Sequence, residues 1–451
     1  MIVLPPSFPK HMNWANRIAL WMRLHLEGVT LLCAIGLVTL FYTLGIPEVP
    51  FHPDESTQLY MSQDWLSQLR NPWDLAWQPG TSITDRVAYR LLDPPFTRLW
   101  LGFWLALTQN PPPDHDWDWS KGWEENVRAG ALPHPNSLYI GRLSIVMLLP
   151  LGLLGIWNVG KAIGGRRYAW IAFALLGSNA LVLLHTRRAM AEGPLLAWNI
   201  ITLWLLSLPK VNPWLVGLTI GLAFNAKYTS LPLLGLVLWI LWRRTFATSP
   251  FRSWIKSIVI VLVIFMLVSL TLNPVLWKYP LETLKQAIAA REHLLAAQIT
   301  DFANANPLMV AESIPARIRN LLLQFYFAPP QTSEAANYAE ILEVSYQHYL
   351  SFPIHNIMRG RIGGGMMLAF TLLGILTLPL RHRRSPPSSA TPISILIGGT
   401  LLQSAVILGW LPLTFQRYYI PLIPYLVLWA ALGLDSLIEI FSQAFNQTWR
   451  K

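Results

Sequence analysis

Residues 50–65 read PFHPDESTQLYMSQDW. An apolar segment, 31–45, lies just upstream, so this stretch begins where a hydrophobic helix ends. Pro53 suits the first turn of a new helix, where its missing N–H would be unpaired anyway. Asp54 and Glu55 then fall in that first turn, at the end whose dipole favours anions. An ionised carboxylate at a membrane surface is a candidate general base. Taken alone, the same residues make an ordinary acidic helix start. The surrounding chain gives weight to the functional reading.

The 451 residues are 53% hydrophobic and only 13% charged, with a mean hydropathy of +0.39. A soluble domain carries about 25% charge. Repeated apolar runs of spanning length make this an all-α polytopic membrane protein. The 22 Trp fit a chain with many membrane–water boundaries. The net charge of +11 comes from short basic clusters between apolar runs, which fits cytoplasmic loops and not a nucleic-acid surface. The one cysteine, Cys33, lies in the first apolar run and excludes a disulfide framework.

In chain order, residues 1–12 are Pro-rich and expected to be loose. Residues 13–27 mix Arg17 and Arg23 with Trp14, Ile18 and Trp21, an interfacial amphipathic pattern. No small-residue cleavage site follows the first span, 29–46, so it reads as an anchor. The loop 47–137 holds twelve acids against six Lys/Arg, which assigns it to the non-cytoplasmic side. Within it, 92–109 is apolar, short and interrupted by Arg98, which predicts a juxtamembrane or re-entrant helix. The insertion PPPDHDWDWSKGWEEN, 111–126, offers His115, Asp114, Asp116 and Asp118 as metal ligands, although a solvated loop fits the spacing better.

Further spans are expected at 138–159, 168–184 and 185–208. Residues 213–242 are too many for one comfortable span and put Lys227 at their middle, where a charge is expensive. Two short helices meeting at 225–228 bring Lys227 to the outer surface and keep Lys210 and Arg243–Arg244 on the cytoplasmic side. A span at 254–272 precedes a second outer segment, 273–361, with amphipathic stretches at 281–299 and 314–327. Spans at 362–380 and 393–413 and one opened by Arg417 complete about ten helices, with both termini cytoplasmic. The chain divides into an N-terminal segment (1–28), a transmembrane core (29–272), the second outer segment (273–361) and C-terminal helices (362–451).

That topology gathers polar residues at outer helix ends. Asp54 and Glu55, with His52, follow the first span, and His185, Arg187, Arg188 and Glu192 mark the turn between the third and fourth. Lys227 and Tyr228 cap the hairpin, and Arg417 and Tyr418 open the last helix. Arg188 and Glu192, four apart, are expected to pair on one helix face. Each cation alone is explained by snorkelling to the interface. Four of them (Arg187, Arg188, Lys227, Arg417) beside two acids suggest a phosphate clamp next to a base.

Several stretches resemble the membrane-embedded glycosyltransferases of the GT-C fold. PxHPDE after the first span is similar to their first-loop acidic motif, most closely in the protein O-mannosyltransferase and lipid A aminoarabinose-transferase group. Asp93-Pro94-Pro95-Phe96 resembles that group's His/Lys-Pro-Pro-Leu element, with an acid where a base is usual. Residues 141–198 resemble its second to fourth helices, with an Arg opening the second and an Arg with an acid opening the fourth. GLTIGLAFNAKYTSLPLL (217–234) resembles its Gly-rich segment ending in lysine, and RYYIPLIPY (417–425) its late Arg-Tyr-x-x-Pro element.

The resemblance implies transfer of a sugar from a polyprenyl-phosphate donor to a hydroxyl acceptor on protein, lipid or glycan. The place it implies is the extracytoplasmic face of a bacterial plasma membrane. Asp54 and Glu55 would be the catalytic pair, Asp54 as the base and Glu55 in support of it, and Arg187, Arg188, Lys227 and Arg417 the phosphate ligands. His52, Glu192, Tyr228 and Tyr418 would support them. No cofactor is firmly implied. A phosphate-linked sugar leaves an anion, so a divalent metal is optional. A transporter or lipid-linked sugar flippase is the alternative, and it predicts mid-membrane charges and internal repeats. A non-catalytic membrane subunit is the third reading.

Overall fold

A computed structural model describes residues 14–246, 251–332, 334, 338–384 and 390–448. Residues 1–12, the linker after Arg384 and Arg450–Lys451 lie outside these. The described chain is helical, with no strand beyond one isolated bridge between Val310 and Leu413. The first helix, α1 (Trp14–Leu44), joins the expected interfacial stretch and first span into one 31-residue element. Its Leu32, Leu37, Leu40 and Leu44 face outward, an apolar stripe suited to lipid.

The first outer loop folds into five short helices: α2 (Pro53–Met61), α3 (Asp64–Arg70), α4 (Asp85–Leu92), α5 (Phe96–Leu107) and α6 (Trp123–Arg128). Of these, α5 covers the apolar stretch expected as a juxtamembrane or re-entrant helix. Its Arg98 is buried, donating to the Asp93 carbonyl and pairing with Asp64.

The core follows with α7 (Pro135–Val146), α8 (Leu149–Gly177), α9 (Ala180–His185) and α10 (Glu192–Ser207). Within α8 the backbone is left-handed at Gly165 (φ 82). Glycine takes that conformation without steric cost, and the chain reverses there, between the expected spans 138–159 and 168–184. Next come α11 (Pro213–Ala226) and α12 (Leu231–Phe246). Asn212 caps α11 by accepting from Trp214 N (3.0 Å), and the helix stops because Lys227 is extended (φ −159). Arg244 Nη1, at the end of α12, donates to Leu208 O near the start of α11 (2.6 Å). The two are therefore a hairpin, with Lys227 at its tip.

After the apolar helix α13 (Phe251–Leu272), the second segment, 273–361, holds α14 (Pro280–Ala305), α15 (Ile314–Leu322) and α16 (Ala339–Ser351). It packs on the first outer loop through Trp77, Leu91 and Val275 at one place. Trp117, Ala131, Tyr338 and Leu342 make a second contact. The last helices are α17 (Gly360–Arg384), α18 (Ala390–Trp410) and α19 (Ile423–Thr448). A Cβ on Gly374 would lie 2.0 Å from Trp429 O, so only glycine lets α17 and α19 cross this closely. The main core gathers around α19, whose Ile423, Val427, Leu428, Ala430 and Leu432 are buried.

Six helices among the described residues are long and apolar enough to cross a membrane. The larger sequence count comes from splitting one 43-residue stretch at the Gly165 turn and from helices of 14 to 16 residues, α10 to α12. The two ends of the bundle differ in charge. At one, Glu27 pairs with Lys161 and Arg166, and Asp435 pairs with Arg167. At the other, the outer segments cover the residues described next.

Candidate active site

The site is built on the start of α2. His52 caps this helix, its Nδ1 accepting from Asp54 N (3.1 Å). In return His52 N donates to Glu55 Oε2 (3.0 Å), a capping box with histidine in the serine position. The local sequence His-Pro-Asp-Glu thus forms a helix start with Pro53 in the first turn. Since Nδ1 accepts, the ring proton lies on Nε2, which donates to Glu334 Oε2 (2.9 Å).

Neighbours in sequence, Asp54 and Glu55 have opposite environments. Glu55 accepts from Arg142 Nε (2.8 Å) and Nη2 (2.7 Å), from Ala189 N (2.9 Å) and from His52 N (3.0 Å). Burial pushes its carboxyl up, but the Arg142 guanidinium and these hydrogen bonds outweigh it and hold it below the usual carboxylate range. Glu55 therefore ties α2 to α7 and to the α9–α10 turn. Asp54 keeps a side chain 31% exposed and pairs with Arg417.

Arg417, in the 3-10 turn that leads into α19, bridges two acids. It pairs with Asp54 through Nη1 and lies 3.4 Å from Glu334 Oε1 through Nε. Burial pushes the Glu334 carboxyl up, but Arg417 and the His52 hydrogen bond hold it well below its usual range. Lys227 pairs with Glu192 and stands over the Tyr418 ring (5.5 Å), and Arg417 flanks the same ring (5.9 Å). Asp93 completes the edge. Burial pushes its carboxyl above the usual range, Arg291 opposes this, and the charge of Asp54 adds to it.

Asp54, His52, Arg417, Tyr418, Lys227 and Glu192 therefore lie together. Tyr228 stands beside them at the hairpin tip, its ring against Phe224 (4.9 Å). Two expected cations do other work. Arg187 is buried at the end of α1, donating to the carbonyls of Tyr42 and Phe41 (3.0 Å each) and meeting His355 Nε2 (3.0 Å). Arg188 does not pair with Glu192, because α9 ends at His185 and α10 begins at Glu192, so the two share no helix face. Its Nη2 instead donates to Pro50 O and Thr332 O. It thereby joins the acidic motif to the second outer segment.

Glu334, the acid that balances Arg417, carries no signal in the sequence. No pattern marks it: it lies in an irregular stretch between α15 and α16. Arg142 was visible only as the arginine of the family-like second helix. The Trp-rich insertion, expected as a solvated loop, is folded. Trp117 is buried and its Nε1 donates to Tyr338 OH (2.7 Å). Its ring also packs on Phe51 (5.5 Å) and Trp123 (5.3 Å). This cluster holds Phe51 and Tyr338, neighbours in sequence of His52 and Glu334. Among the described residues no three His, Cys, Asp or Glu side chains gather as a metal-binding group, the surroundings of His115 included.

No protein-family model and no curated protein matches the chain. Among solved structures it is similar to the archaeal oligosaccharyltransferase AglB from Archaeoglobus fulgidus, solved in complex with an inhibitory peptide and a dolichol-phosphate. The TM-score is 0.50 at 11% identity, over 94% of this chain and 52% of that one. The apo form of the Archaeoglobus fulgidus oligosaccharyltransferase gives 0.50 at 13% identity, over 93% of this chain and 52% of that chain. The chain thus spans about half the length of the solved structures it matches. At this identity the likeness establishes the fold alone, a GT-C architecture shared with these oligosaccharyltransferases.

Proposed function

On the premise of a GT-C fold, we propose that this protein transfers a sugar from a polyprenyl-phosphate donor to a hydroxyl acceptor. The observation that carries the reading is the difference among four site carboxylates. Glu55, Glu192 and Glu334 have side chains 0%, 2% and 6% exposed and are held in ion pairs, whereas Asp54 is 31% exposed. Of these four ion-paired acids, Asp54 is the one an incoming hydroxyl can reach.

In this mechanism the acceptor oxygen attacks the anomeric carbon while Asp54 takes its proton. The bond from that carbon to the phosphate oxygen breaks, and the phosphate leaves with the electron pair. Lys227 and Arg417 meet the developing charge. Arg417 also holds Asp54 in place. Glu55, Arg142 and Arg188 act as the frame, and Arg187 secures the end of α1. The polyprenyl tail lies between helices.

Positive-inside orientation supports placing the Lys161–Arg167 end in the cytoplasm, which turns the outer segments and Asp54 to the extracytoplasmic side. The PxHPDE and Arg-Tyr-x-x-Pro motifs favour a single sugar on a polyprenyl monophosphate.

The test incubates purified protein with radiolabelled polyprenyl-phosphate sugars and scores donor hydrolysis and transfer. Asp54→Asn should lower transfer by about a hundredfold or more, the range for loss of a general base, with donor binding retained. Movement of lipid-linked sugar across the bilayer, without transfer and unaffected by Asp54→Asn, would replace this reading with a flippase.

A further inference from the structure

His185 ends α9 inside the site and is 1% exposed. Neither of its ring nitrogens has a hydrogen-bond partner. A neutral imidazole carries one donor and one acceptor, and a buried polar atom left unpaired is destabilising. His185 is not alone in this. Glu192 Oε2 and Arg188 Nε are buried and unpaired as well. Both residues act electrostatically on the His185 ring, together with Glu334 and Arg417. Native chains pair most such groups, and these four atoms belong to residues that share one part of the site, where a ligand's polar groups would complete them.

The unpaired atoms indicate what that partner is. Arg188 Nε donates, Glu192 Oε2 accepts, and the imidazole does one of each. A phosphate offers only acceptors and would set its charge against Glu192. A polyprenyl tail satisfies none of them. Neighbouring sugar hydroxyls each donate and accept, which matches the set. The phosphate cations of the proposed reaction are adjacent, since Lys227 holds the other oxygen of Glu192. We propose that His185, with Glu192 Oε2 and Arg188 Nε, binds hydroxyls of the donor sugar and selects among sugars. This rests on the transferase reading above. The ring meets a ligand only as neighbouring side chains give way. Lys227 and Arg417, 17% and 13% exposed, are the partly open ones.

The experiment measures affinities of the full chain in nanodiscs for bare polyprenyl phosphate and for its mannosyl, glucosyl and galactosyl derivatives. His185→Phe should leave the bare lipid unaffected and weaken the preferred sugar-bearing lipid by about tenfold, the worth of one or two lost hydrogen bonds. His185→Gln, which keeps one donor and one acceptor, should fall between. Deoxy analogues should cost the unmutated protein affinity at one ring position, and His185→Phe should be blind to that position. Equal losses for bare and sugar-bearing lipid, or no loss in either, overturn the inference. If His185→Phe does not fold, the ratio of the two affinities in His185→Gln decides. A wild-type protein that binds no polyprenyl phosphate at all, bare or sugar-bearing, fails the transferase reading itself. That result differs from a protein that binds the lipid without discriminating the sugar.

Discussion

Replacing Glu55 by Gln keeps the shape of the side chain and exchanges one acceptor oxygen for an NH₂ group. Four donors converge on Glu55: Arg142 Nε and Nη2, Ala189 N and His52 N. The amide oxygen of glutamine serves two of them, and the other two face a donor. Arg142, itself buried, is left as an uncompensated charge. Two lost hydrogen bonds to charged groups at about 1.5–3 kcal/mol each agree with the roughly 3–5 kcal/mol of a broken buried ion pair. Glu55→Gln should therefore cost about 3–5 kcal/mol of stability. At the slope of larger domains the apparent melting temperature then drops by at least about 5 °C. The assay is tryptophan-fluorescence melting of detergent-purified protein, wild type and Asp54→Asn side by side. Asp54→Asn should melt close to wild type, because Arg417 keeps Glu334. In the cycle with Arg142→Met, the double variant should lose less than the sum of the singles by about 1–3 kcal/mol. If Glu55→Gln melts with wild type and transfers no sugar, Glu55 is chemical and the assignment to the frame is refuted.

Arg187→Met should destabilise the fold by about 3 kcal/mol or more by stranding the Phe41 and Tyr42 carbonyls, with unchanged donor affinity in the folded fraction, read by melting and donor titration. Lys227→Met removes a cation and unpairs Glu192. Donor affinity should weaken by about tenfold to a hundredfold, with the acceptor requirement nearly unchanged. Tyr338→Phe deletes the acceptor of the Trp117 indole N–H and should cost about 1 kcal/mol of stability; combined with Trp117→Phe it should cost little more than either alone. Stability should also fall in acid. Glu55 and Glu334 are both held below the usual carboxylate range. Their contribution is complete above the unfolded value of about 4.3 and fades as pH drops through the lower folded values, so a melting series should decline below about pH 4.

Much of the frame is legible in the chain because the bilayer imposes simple rules on it. Apolar runs of spanning length and a lysine midway through 213–242 each permit few arrangements. The helix start at His52–Glu55 is equally local: a cap, a proline and two acids within four residues are read by nearby backbone groups alone. Asp54, Lys227 and Arg417 are singled out this way, each at a helix end. The sequence could not show how the surroundings of Asp54 and Glu55 differ, because that difference is made by Arg142 and Ala189, far along the chain. Nor could it rank the arginines. Arg187 and Arg188 are adjacent, yet one caps α1 and the other joins Pro50 to Thr332. Glu334 and Tyr338 carry no periodic signal, and they matter only because Arg417, His52 and Trp117 come to meet them. Helix ends and spans follow from short-range chemistry and solvent. Which carboxylate is left open is decided by partners that only the folded chain brings together.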